Sequence, residues 1–341
     1  MRKVVLLVAA LFMLTSLVAG CVSSRGGAIQ IDPTLHSVSK DDFLDDDKAV
    51  ELPANYSQRN YKRLVVGVYF FPQKDSDHYD SVPVETVSTT LETEISKLKR
   101  FTIVSRHGGQ KAKMAEKRFQ DLGLTDASTR MRFGHGLNAD YTLFGGVTTA
   151  REEYERVDHN ESVFIVRVDY QLIDVETDEI IEADYVEGRA KRTFVRLPSG
   201  KILGGFDMEK GTKDALNQAS INALKVLGNR LGNKLPIGAQ VVGIRGSRFG
   251  LDRGKEEGFM GKQTVILYTE DMGVDVPLAV GEVSPGAHKC SGKIIKWNED
   301  SELQSLIEEV KKNPTFLARH EVFAVSAGMP LPPEWEKNYK D

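Results

Sequence analysis

The sequence predicts an α+β protein: a mixed sheet flanked by helices, followed by a small β-barrel. Three observations carry this prediction. Leu64 to Phe71 is an unbroken apolar run, the pattern of a strand buried on both faces, and helical periodicity follows it. From Phe164 to Leu172 the even positions are apolar, while Arg167, Asp169 and Gln171 are polar, as in a half-exposed antiparallel strand. After Pro236 the apolar segments become short and are cut by glycines, the spacing of a small barrel.

Residues 1–20 are not a fold element. Arg2 and Lys3 precede an apolar run from Val4 to Val18, then Ala19-Gly20-Cys21. A basic start, a short apolar run and small residues make a secretory signal peptide. The run is short for a membrane span, which takes about 20 apolar residues. Val18-Ala19-Gly20-Cys21 resembles the lipobox of bacterial lipoproteins. That resemblance implies cleavage before Cys21, acylation of its sulfur and, with Val22 rather than Asp at the next position, an outer-membrane lipoprotein facing the periplasm. The other reading is an ordinary signal peptide with a chance cysteine at its end. Two or more acyl chains hold a protein stably, whereas one binds only marginally.

Residues 21–62 read as a disordered tether. They hold Gly26-Gly27, Pro33, Pro53 and the acidic run around Asp41 to Asp47, with apolar residues at neither strand nor helix spacing. The aspartates lack the glycine and terminal Glu of a calcium loop, so they read as a solvated charge run.

The first folded unit is expected over residues 63–236. Residues 84–100 carry Val87, Leu91, Ile95 and Leu98 on one helical face. A strand at 101–105, helices at 110–122 and 127–137, and a strand at 141–147 follow. The alternating strand at 164–172 turns at Glu176-Thr177-Asp178 and returns over 179–189, and 194–206 suggests a further short hairpin. Residues 208–235 form a long helix with Leu216, Ala223, Leu224, Leu227 and Leu231 on one stripe. A small SH3-like β-barrel is expected over 237–329, with a helix at 301–312 before a last strand at 322–325. Residues 330–341 are a tail.

Leu137 to Val147 and Val168 to Ile181 are similar to segments of the curli-export lipoprotein family CsgG, whose fold resembles the TolB N-terminal domain. LpoB, the lipoprotein activator of penicillin-binding proteins, shares that fold. Asp178 stands where this family turn often has glycine. The barrel region resembles the C-terminal barrel of the flagellar protein FlgT. The resemblance implies a protein partner in the envelope, either a peptidoglycan synthase or a secretion or appendage complex, or self-assembly into a ring. The alternative it implies is a subunit of a curli-type export channel.

Such a channel inserts apolar hairpins into the membrane, each strand about 9–11 residues long. Here the first insertion position, 148–162, reads as a short loop charged on both faces, with Arg151, Glu152, Glu153, Glu155 and Arg156. A midplane Arg or Lys costs about 2–4 kcal/mol, which disfavours insertion. Glu152, Glu153, Tyr154 and Arg156 are instead a candidate partner-contact patch, or simply a solvated stretch.

No nucleophile elbow, phosphate loop, HExxH or dinucleotide fingerprint is present, so no enzyme activity, cofactor or metal site is expected. Net charge of −4 with mixed signs argues against a nucleic-acid binder. Gly254 to Gly258 reads as a β-turn, Arg106-His107-Gly108-Gly109 as a connecting turn or an anion site, and His135 and His159 as solvated. Cys290, the cysteine left beside Cys21, reads as a small buried hydrophobe. Trp297 and Trp335 read as packing residues.

Overall fold

The computed structural model describes residues 39–44, 49–54, 56, 64–71, 84–105, 139–156, 161–193, 208–313 and 316–330. Cys21, the helices expected at 110–122 and 127–137, the 194–206 hairpin, the Arg106 turn, His135, His159, Trp335 and the end of the tail lie outside them.

A five-stranded sheet runs in the order β2-β1-β3-β4-β5. Its strands are β1 (Leu64–Phe71), β2 (Phe101–Ser105), β3 (Tyr141–Arg156), β4 (Glu161–Asp174) and β5 (Ile180–Thr193). The β1 strand pairs in parallel with β2 and β3, and β3, β4 and β5 pair antiparallel, so the sheet is mixed. Helices α1 (Val84–Lys97) and α2 (Met208–Lys234) cover one face. Val87, Leu91 and Ile95 of α1 and Leu216, Leu224, Leu227 and Leu231 of α2 are buried there, as their spacing requires. At Gly188 the sheet and α2 approach so closely that a Cβ would lie 2.0 Å from the Ala219 carbonyl oxygen.

The charged stretch at 148–162 differs from expectation. It is not a short loop: β3 runs on to Arg156 and β4 begins at Glu161. Two irregularities of register, at Thr148 and Glu153, let the strand continue while shifting which side chains face the helices. Likewise β5 extends to Thr193 rather than ending at 189. Asp178, in the β4–β5 turn, has φ 58°, the conformation that explains why glycine suits this position.

A closed barrel follows, in the order β10-β7-β6-β11-β8-β9. The strands are β6 (Gly238–Arg245), β7 (Arg248–Leu251), β8 (Gln263–Asp271), β9 (Val274–Pro285), β10 (Cys290–Trp297) and β11 (Val322–Ser326). Helix α3 (Gln304–Lys312) buries Ile307 and Val310 in the barrel core, and α4 (Phe316–Arg319) adds Phe316. Lys255–Glu257 is a 3-10 turn rather than a plain β-turn. Cys290 is buried, and burial pushes its thiol up to about 12. Trp297 packs partly against the barrel core, with the Lys311 ammonium 5.2 Å from its ring.

The two units meet at Arg100, which is 1% exposed. Its guanidinium donates to the Gly232 carbonyl at 2.6 Å and to Ser326 Oγ at 2.9 Å. Gly232 lies in the last turn of α2, where carbonyls lack intrahelical partners and a cation is favoured by the helix dipole. Burial lowers Arg100 to about 9, so it stays charged at neutral pH. Gly258, at φ 92°, leaves room for the Arg100 backbone, since a Cβ would sit 3.0 Å from its nitrogen.

The reading of 21–62 as disordered throughout also needs correction. Residues 39–44, 49–54 and 56 lie against the outside of the barrel. Val50 is buried, and Phe43, Leu52 and Tyr56 pack with Ile266, Tyr268, Val280 and Val325. The reason lies in the barrel: β8 and β11 are apolar on both faces, and their outward row has to be covered.

Candidate functional site

The sequence-derived patch lies on the last third of β3, where register irregularity separates its members. Glu152 stands opposite Phe164, a residue of the helix-covered core, so its side chain belongs to that face. One of its carboxylate oxygens is enclosed without a hydrogen-bond partner. Glu153 belongs to the other face, where its carboxylate meets Arg189 at 3.2 Å. Tyr154 and Arg156 stand opposite Val163 and Glu161. The structure therefore does not bring Glu152 and Glu153 together.

It brings Glu153 together with residues the sequence reading did not single out. Arg189 of β5 also lies 3.8 Å from Glu187. Beside them the Arg167 guanidinium lies 3.7 Å from the centre of the Tyr185 ring and donates through Nε to Asp169 at 2.9 Å. The Asp169 carboxylate holds Arg167 above its ordinary value. Glu153, Arg167, Asp169, Tyr185, Glu187 and Arg189 thus form one ladder across β3, β4 and β5. Its signal in the sequence was the alternation itself: Arg167 and Asp169 are the polar positions of β4, and Glu187 and Arg189 continue the period on β5.

Alpha-helix α2 fixes this surface from behind. Asn222 Nδ2 donates to the Arg189 carbonyl at 2.8 Å, and Arg230 donates to the Tyr185 carbonyl at 2.8 Å. The Tyr185 amide donates to its neighbour Asp184, whose carboxylate also meets Arg230 at 2.6 Å. These contacts occupy edge groups of β5 that would otherwise accept a further strand. The ladder thus offers side chains rather than a bare strand edge.

Ion pairs this exposed contribute roughly 0–1 kcal/mol each, so the ladder adds little to stability. Its Arg and Tyr are types enriched in protein–protein interfaces, and the cation–π contact presents them in a fixed arrangement. The arrangement can recognise a polar surface; it holds no nucleophile and base in hydrogen-bond reach.

A concavity of about 580 Å³ is lined by residues 49–51 together with Val276, Lys296, Asn298, Glu299, Asp300 and Glu302 among others. Among the described residues no group of three His, Cys, Asp or Glu side chains could hold a metal ion. No described helix is long and apolar enough to cross a membrane.

A family model described as the peptidoglycan-synthase activator LpoB matches residues 54–187. The sheet unit is similar to LpoB. The match takes in β1 to β4, most of β5 and five of the six ladder residues, all but Arg189. Among solved structures, the chain is similar to the LpoB C-terminal domain from Salmonella enterica, at 22% identity over 36% of this chain and 81% of that one, with a TM-score of 0.20. It is similar to the PelC dodecamer from Paraburkholderia phytofirmans, at 14% identity over 49% of this chain and 87% of that one, with a TM-score of 0.24. A minor lipoprotein from Acinetobacter baumannii matches at 12% identity over 51% of this chain and 90% of that one, with a TM-score of 0.28. No curated protein matches.

Proposed function

We propose that this protein is a lipoprotein anchored by Cys21 to the outer membrane on its periplasmic side, and that it works by binding: an activator or scaffold whose partner is a peptidoglycan synthase. The observation that carries the reading is the LpoB family match, which falls on the sheet and on most of the side-chain ladder it presents. The lipobox-like Val18 to Cys21 supports the anchor. The ladder is the contact surface in this reading, and docking acts by favouring one conformational population of the partner.

The length of β3 and β4, 16 and 14 residues, favours one further reading, a subunit of a curli-type export channel, because each strand could cross a membrane. Their charge opposes it: exposed Arg151 and Glu153 would face lipid or have to be sealed from it.

The experiment is photo-crosslinking in the cell envelope from position 187. A crosslink to a peptidoglycan synthase that is lost in Arg189→Glu supports the proposal. A detergent-solubilised ring that conducts in planar bilayers replaces it with the channel reading. Release of Cys21→Ser from the membrane fraction tests the anchor separately.

A further inference from the structure

Residues 39–44, 49–54 and 56 sit on the barrel in an unusual way. Among the described residues no backbone hydrogen bond joins this segment to a barrel strand. Its apolar contacts are made by side chains: Val50, with Phe43, Leu52 and Tyr56, against the outward row Ile266, Tyr268, Val280 and Val325. Tyr56 Oη donates to Asp275 at 2.9 Å and accepts from Tyr268 Oη, and the two rings meet edge to face at 5.0 Å. Lys40 pairs with Glu282 at 3.4 Å. The barrel's own core, including Val265, Leu267, Ala279, Val322 and Ala324, forms a separate cluster inside the ring of strands. The strand ladder is closed without the segment. Undocking therefore breaks no sheet and opens no core; it uncovers one apolar row.

Geometry gives this undocking a consequence. Tyr56 contacts Asp275 at one end of β9 and Lys40 contacts Glu282 towards the other, so the segment runs along the strand. While it is docked, the length of chain from Cys21 to Ser39 spans at most about 60 Å at ~3.3 Å per residue. With the segment released, the length of chain from Cys21 to Leu64 spans at most about 140 Å. We infer that residues 39–56 are a releasable strap, and that its docking sets how far the folded units can stand from the membrane. The reach rests on the lipid-anchor reading proposed above; the docking does not.

Two measurements test it on the full mature chain. In the first, Cys21→Ser protein is probed by hydrogen exchange and limited proteolysis, alone and with Val50→Asp, with Val50→Ile as the conservative control. Slow cleavage at 39–56 in the parent and Val50→Ile, and at least tenfold faster cleavage in Val50→Asp with β8, β9 and β11 still protected from exchange, is the expected result. Cleavage at the free-chain rate in the parent, or loss of barrel protection in Val50→Asp, overturns the strap. In the second, lipidated protein on phosphatidylethanolamine–phosphatidylglycerol vesicles carries a dye at Met272→Cys, a 98% exposed hairpin position, while Cys290 is buried. Energy transfer to an acceptor in the bilayer should fall in Val50→Asp. Unchanged transfer, with the cleavage difference present, overturns the control of reach. Failure of the lipidated chain to sediment with vesicles refutes the anchor reading and the reach with it, while the cleavage result still decides the docking.

Discussion

Gly188→Ala should unseat α2 from the sheet. The added Cβ would lie 2.0 Å from the Ala219 carbonyl oxygen, 2.2 Å from the Ala223 nitrogen and 2.9 Å from the Ala223 Cα. Ordinary contact begins near 3.4 Å, so helix and strand must separate by about 1.4 Å along the closest line. A gap of 0.5–1 Å already forfeits a quarter to a half of the dispersion energy across an interface. Leu216, Leu224, Leu227 and Leu231 all share this interface and are fully buried. Overpacking costs typically 1–3 kcal/mol, occasionally more, and backbone atoms cannot step aside as side chains do, so the loss should be about 3 kcal/mol. With a urea m-value of about 2–3 kcal/mol/M, the midpoint should fall by about 1–1.5 M. The assay is urea unfolding of Cys21→Ser protein followed by far-ultraviolet circular dichroism. Gly243→Ala is the control, since nothing lies within 4 Å of a Cβ there. A Gly188→Ala midpoint equal to the parent's would refute the close packing of β5 on α2. The same displacement strains the Asn222 bond to the Arg189 carbonyl, so crosslinking from position 187 should weaken as well.

Arg189→Glu places a third carboxylate beside Glu153 and Glu187 and should abolish partner crosslinking with a stability change within about 1 kcal/mol; a melt with large loss of stability would mean the ladder is structural. Asp178→Val puts a β-branched side chain at φ 58° and should cost about 1–2 kcal/mol by urea unfolding, whereas Asp178→Gly should not. Cys290 has its folded thiol raised from 9.0 to about 12, so its contribution to stability is full below pH 9 and lost as pH rises towards 12. Arg100, lowered by burial to about 9, works in the opposite sense over that interval. Cys290→Ala removes the first and keeps the second, so its stability relative to the parent should rise between pH 8 and 10.5. Identical pH profiles of the urea midpoint would contradict this.

The elements with a single strong period were legible. The apolar run of β1, the stripe of α2 and the glycine-cut barrel segments each follow from one face or one interior to be filled. The hairpin of β3 and β4 was not, because from Arg151 to Arg156 charges fall on both faces and irregular register breaks the alternation. The patch failed for the same reason: Glu152 and Glu153 are adjacent in sequence but are turned to different faces. The strap was invisible in its own residues, since Phe43, Val50, Leu52 and Tyr56 share no period. Its signal lay more than 200 residues away, in β8 and β11, whose outward residues are as apolar as their inward ones. Arg100 gave no local sign of burial, because its partners come from α2 and from the last strand.

That last strand carries a further consequence. In the barrel β11 lies between β6 and β8, so the first and third barrel strands have no common neighbour until residues 322–326 have been made. Val325 and Phe323 of β11 also help form the surface on which Phe43, Val50, Leu52 and Tyr56 rest. The segment made early in synthesis therefore has no complete seat until β11 has been made. Every molecule must pass through an unstrapped state on its way to the folded one, and a chain cut short before β11 would remain in it.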